Sequence, residues 1–82
     1  MTRSYDKFTK RLVDAGLFQY VQERSLKMRV SLHDLYLAGD KIPSVIAARR
    51  AVYQQLMKGG KSINEVARLF DRAPSGVWKL TK

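Results

Sequence analysis

Ser75 and Lys79 stand four residues apart in the stretch DRAPSGVWKL near the end of the chain. On a helix that spacing puts both on one face. A hydroxyl and an ammonium placed together can donate hydrogen bonds to the acceptor edges of bases in a duplex groove. Gly76 beside them keeps the head of such a helix narrow enough to enter the groove. Further cations and donors surround this triplet in the sequence. Lys61, Ser62 and Arg72 are the nearest, and Arg49, Arg50, Lys58 and Lys82 extend the set. These residue types suit phosphate oxygens, which position a protein on nucleic acid without reading its sequence. The sequence therefore predicts base contacts from Ser75, Gly76 and Lys79. It predicts backbone contacts from Lys61, Ser62, Arg72, Arg49, Arg50, Lys58 and Lys82.

Other chemistry finds little footing. The chain has no cysteine and one histidine, so a disulfide, a thiolate metal site or a histidine cluster has no ligands. His33 and Asp34 are sequence neighbours and so do not face each other on a helix. Asp6, Asp14 and Asp40 are scattered at no catalytic spacing. KGGKS, residues 58–62, lacks the spacing of a phosphate-binding loop and reads as a turn between helices. We expect no catalytic activity, no metal and no cofactor.

Charge supplies the global signal. Sixteen Lys and Arg stand against seven Asp and Glu, a net +9 over 82 residues. The excess is uneven. Residues 1–40 carry seven basic and five acidic groups, whereas residues 41–82 carry nine basic and two acidic, a net +7. Such asymmetry points to a polyanion on the C-terminal half. No apolar run is long enough for a membrane span or a secretory core, and no targeting segment is evident at the start. A cytoplasmic setting is expected, in a bacterial cytosol or nucleoid or a phage-infected cell, with no membrane partner.

The elements that must position these residues are helical throughout, because strand-like alternation never persists. One domain over residues 1–82 is expected, with about five helices. The first covers residues 5–24, with Tyr5, Phe8, Leu12, Phe18 and Val21 near one face and Gly16 as a point of kinking or splitting. The second covers 31–38, capped by Ser31. Pro43 biases Ile42 away from helix, Ser44 caps a long helix over 45–58, and Gly59-Gly60 stop it. Arg49 and Arg50 fall beside that helix's apolar stripe and face outward at least in part. The helix after Ser62 has Glu65 three residues on, the pattern of a capping box. Ile63, Val66, Ala67 and Phe70 form its inner face. Asp71, Arg72 and Ala73 interrupt the period, with Asp71 where a turn glycine is common. Pro74 then suits the first turn of a last helix, which Val77 and Leu80 bury.

Two short helices joined by a three-residue turn, with small Ala67 at the crossing, make a helix-turn-helix over residues 62–82. The outer face of its last helix carries Ser75, Gly76 and Lys79. Trp78 lies about 100° around from Val77, and the core edge is the favoured place for it. A dimer contact or a sugar contact are its other settings.

The stretch VSLHDLYLAGDKIPSVIAARRAVYQQLMKGGKSINEVARLFDRAPSGVWK resembles the C-terminal DNA-binding domain of the bacterial replication initiator DnaA. More broadly it resembles the Trp-repressor-like helix-turn-helix class. VSLHDLY, AARRAVY and SINEVARLF carry the likeness, which covers roughly residues 17–80. The resemblance implies an all-helical fold, a long helix before the helix-turn-helix, and binding to duplex DNA. The family's signature reads G-G-R-D-H-[TS]-T-V. Arg72, Ser75 and Val77 match it, while Ala73, Pro74 and Gly76 replace its Asp, His and Thr. The family's Arg-Pro before the long helix is absent, with Lys41 the nearest cation. The chain contains no ATPase, so initiator activity by this chain alone is not implied. The fold is expected to carry over and the target sequence is not. DRAPSGVWKL also resembles the R-S-P-S-x-V turn of transposase and repressor helix-turn-helices.

The expectation is a small all-α protein, Trp-repressor-like or DnaA-C-like, that binds double-stranded DNA by sequence and regulates transcription or replication. The rival is a protein-interaction module that binds a replication initiator or RNA polymerase and has only nonspecific DNA affinity. Its surface would be the aromatics Tyr5, Phe8, Phe18 and Tyr20. Exposure of that face would favour the rival, and burial would favour DNA alone. A homodimer fits either, since one helix-turn-helix contacts few bases.

Overall fold

Ser4 is extended (φ −96°, ψ 115°), and its Oγ accepts the Lys7 amide at 3.3 Å, which opens the first helix, α1 (Tyr5–Asp14). The computed structural model describes residues 4–39 and 41–82. Residues 1–3 and Asp40, one of the scattered acids, lie outside the described residues. Five more helices follow: α2 (Phe18–Lys27), α3 (Leu32–Leu37), α4 (Pro43–Lys58), α5 (Ile63–Leu69) and α6 (Pro74–Thr81). No strand occurs among the described residues. The chain is all-α.

One device closes four of these helices. After α1, the Leu17 amide donates to the Leu12 carbonyl at 2.8 Å and the Gly16 amide to the Val13 carbonyl at 3.0 Å. Gly16 stands at φ 71°, the left-handed conformation that this Schellman end requires. The same pair of bonds ends α2 around Arg29, α4 around Gly60 and α5 around Asp71, with φ of 60°, 108° and 53°. Gly16 therefore does more than kink a helix over 5–24. It separates α1 from α2.

The expected start of the long helix also shifts. Ile42 is extended (φ −96°, ψ 110°), as the residue before a proline should be. Pro43 takes the first helical position, where a missing N–H costs no bond. Ser44 lies inside the helix and caps nothing. At α5 the capping box forms as its sequence predicts. Ser62 Oγ accepts the Glu65 amide at 3.1 Å, and the Ser62 amide donates to Glu65 Oε1 at 3.5 Å.

Packing follows the apolar stripes. Phe8, at 0% exposure, stacks on Tyr36 at 4.2 Å and 5° and meets Phe70 at 5.1 Å. Tyr53 meets Phe70 edge-on at 4.9 Å. These rings join α1, α3 and α4 to the residue that follows α5. Leu12, Val21, Leu35, Val52, Val66 and Val77 fill the space around them. Burial of each such side chain is worth about 1.5–3 kcal/mol. α4 is the spine, with α2, α3, α5 and α6 all packed against it.

Candidate nucleic-acid interface

The two C-terminal helices are joined by four residues, Phe70 to Ala73, one more than the sequence pattern predicts. Phe70 enters the core instead of extending α5. Asp71 then turns the chain in the left-handed conformation, which glycine adopts at least cost. α6 packs against α5 and α4, with Val77 buried and Leu80 half-buried. With that side fixed inward, Ser75, Gly76, Trp78, Lys79 and Lys82 are exposed. Ser75 and Lys79 share this open face, as their spacing predicts. A groove of about 270 Å³ runs between α4 and α6, lined by Ile46, Arg49, Tyr53, Arg72, Gly76, Val77, Lys79 and Leu80. Gly76 and Lys79 thus stand at the edge where α6 meets α4.

The arginines behave differently from expectation. Arg49 is 3% exposed, and its guanidinium donates from Nε to the Leu35 carbonyl at 2.7 Å and from Nη2 to the Ala38 carbonyl at 2.6 Å. It does not face solvent, and the structure removes it from the phosphate-contact set. The cause is local. α3 has six residues, so its last carbonyls lack an intrahelical partner, and a buried acceptor left unpaired costs about 1–3 kcal/mol. Arg72 serves the same end, its Nη2 lying 3.4 Å from the Tyr36 carbonyl. Half-buried, it ties the turn between α5 and α6 to α3. Arg50 is exposed, yet its Nε donates to the Leu80 carbonyl at 2.9 Å and so stays beside α6. Arg11, which the sequence does not single out, does for α5 what Arg49 does for α3, with Nε 3.2 Å from the Leu69 carbonyl.

The remaining cations divide into two places. Lys82 lies next to Trp78, its Nζ 4.7 Å from the ring centroid. Lys58 and Lys61 line a separate groove with Leu17, Tyr20 and Gln55, between the start of α2 and the end of α4. Lys58 is two turns beyond Arg50, roughly 12 Å along the helix. Lys61 also pairs with Glu65 at 3.7 Å, and Ser62 is committed to the capping box. Ser75, Gly76, Lys79, Arg50 and Lys82 are therefore brought together around α6. Arg49 and Arg72 support that cluster from inside. Lys58, Lys61 and Ser62 are grouped elsewhere.

Trp78 also departs from its expected place. It is 49% exposed rather than set into the core edge. The signal was present: with Val77 and Leu80 both inward, Trp78 points roughly 130° from their midpoint on a helical wheel. Its large apolar ring suggested burial, and the wheel decided otherwise.

Among the described residues no group of three His, Cys, Asp or Glu is placed to hold a metal ion. None of the described helices is long and apolar enough to cross a membrane. Compared with family models, curated proteins and solved structures, the chain matches none.

Proposed function

We propose that this chain binds double-stranded DNA in a sequence-specific way, with α5 and α6 acting as a helix-turn-helix and α6 entering the major groove. The open face of α6 carries this reading. A helix anchored by Val77 and Leu80 turns Ser75, Gly76, Trp78, Lys79 and Lys82 to solvent, within the half of the chain that holds a net +7. The major groove is about 12 Å wide and admits one helix. Ser75 and Lys79 supply donors for base edges. Arg50 and Lys82, at the flank and end of α6, grip phosphates.

The role that fits such a module is regulation of transcription or replication in the cytoplasm, with no catalytic step, cofactor or membrane partner. The family proposed for it is the DnaA C-terminal or Trp-repressor-like class, on the residues that carry that resemblance. Half-site recognition by one helix is short, so a homodimer would supply added specificity. The competing reading, a module that binds an initiator or polymerase, relied on a free aromatic face. Phe8 is fully buried, Tyr5 and Phe18 are half-buried, and Tyr20 alone of the four is exposed. That leaves little of the face for a partner.

Selection of bound duplexes from a random pool, at low and physiological salt, tests the proposal. A motif that stays enriched at physiological salt is the expected result, and a palindromic one would report a dimer through its half-site spacing. Retention without enrichment, lost as salt rises, would overturn specific recognition.

A further inference from the structure

Trp78 is a large apolar surface on the face that carries Ser75 and Lys79. The other large exposed hydrophobics, Val13, Tyr20, Leu26, Met28 and Ile42, lie on other elements. Packing does not explain its place, since Val77 and Leu80 already seat α6 on α5 and α4. Its chemistry is narrow. An indole has a single N–H donor, no acceptor and no charge. It cannot read a donor–acceptor pattern as Ser75 and Lys79 can, and it has no charge for phosphate. In the major groove the apolar feature that distinguishes one base pair from another is the C5-methyl of thymine. Lys82 lies over the ring at 4.7 Å, an arrangement that braces the indole from the C-terminal side.

We propose that Trp78 determines specificity by packing on a thymine methyl beside the base pair that Ser75 and Lys79 contact. This inference rests on the reading of α6 as the groove helix. Ser75 and Trp78 are three residues apart, about 4.5 Å of helix rise. The thymine therefore lies within one or two base pairs of the Ser75 contact, base pairs being about 3.4 Å apart.

The test uses deoxyuridine, which lacks only that methyl. In the duplex that the wild-type protein enriches, each thymine is replaced singly by deoxyuridine. Affinity is measured for the wild type, Trp78→Ala and Trp78→Gln, with thermal melting of each variant as a control for folding. One replacement should weaken wild-type binding about fourfold, the value of burying one methyl-sized group. The same replacement should leave both variants unaffected. Two variants are used so that if one melts early the other still decides. Methyl sensitivity equal in the wild type and a folded variant would overturn the inference, as would a motif with no methyl-sensitive thymine. Either result would leave the DNA reading standing. Failure of the wild type to enrich any duplex would overturn both.

Discussion

Arg49 shows how a residue's type and its employment separate. By composition it counts toward a phosphate-binding surface, but in the fold its guanidinium donates to the carbonyls of Leu35 in α3 and of Ala38 just after it. Arg49→Met should destabilise the domain by about 2–4 kcal/mol, because it leaves buried acceptors short of partners. Urea unfolding measures that loss. If the residue gripped DNA instead, the variant would fold normally and show a smaller salt dependence of binding. Asp71 makes the opposite case. It holds φ 53° at the end of α5, where an L side chain costs roughly 1–2 kcal/mol and glycine costs nothing sterically. Asp71→Gly should stabilise the protein by about 0.5–1 kcal/mol after glycine's larger unfolded-state entropy is counted. A fall in the thermal midpoint would contradict this cost and show that the Asp71 side chain itself stabilises the turn.

Helix ends decide which elements exist. Apolar periodicity in the sequence runs from Tyr5 to Val21 across Gly16, and periodicity alone cannot tell a bend from a break. The Schellman bonds to Leu12 and Val13 make it a break. A Cβ on Gly16 would meet open space, so the cost of Gly16→Ala is purely conformational. It should be about 1–2 kcal/mol, read by chemical denaturation, and an unchanged midpoint would mean that α1 and α2 tolerate a continuous helix. The capping box at Ser62, the stop at Gly59-Gly60, and the inward faces of α5 and α6 were legible because local residue types specify them. The start of α4 was misplaced by two residues because Ser44 is a good cap that Pro43 pre-empts. What periodicity does not carry is which arginine reaches which carbonyl. Those bonds join Arg49 to α3, Arg50 to α6 and Arg11 to α5, over separations of 14, 30 and 58 residues. For the candidate site, what spacing made readable is that Ser75 and Lys79 share an exposed face of α6. The burial of Arg49 needed the tertiary fold, whereas the exposure of Trp78 follows from the inward set of Val77 and Leu80.

At the scale of the whole molecule, a net +7 on residues 41–82 overstates the freely offered charge. Arg49 is buried, Arg72 is half-buried against α3, and Lys61 is paired with Glu65. The proposed footprint around α6 is compact, and counterion release reports its size. Lys82→Ala should reduce the slope of log K against log salt by about one, as expected for one lost phosphate contact. Lys58→Ala should leave the slope unchanged, since Lys58 lines the groove at Leu17 and Tyr20. Equal effects would place the two cations in one footprint.

The central claim is that the open face of α6 reads sequence. Its most direct measurement is the ratio of affinities for the enriched duplex and a scrambled one at physiological salt, for the wild type and for Ser75→Ala with Lys79→Ala combined. The expected result is a large ratio for the wild type that collapses toward one in the double variant, with residual binding that salt removes. An unchanged ratio in a folded double variant would contradict the claim, because recognition would then reside on another surface.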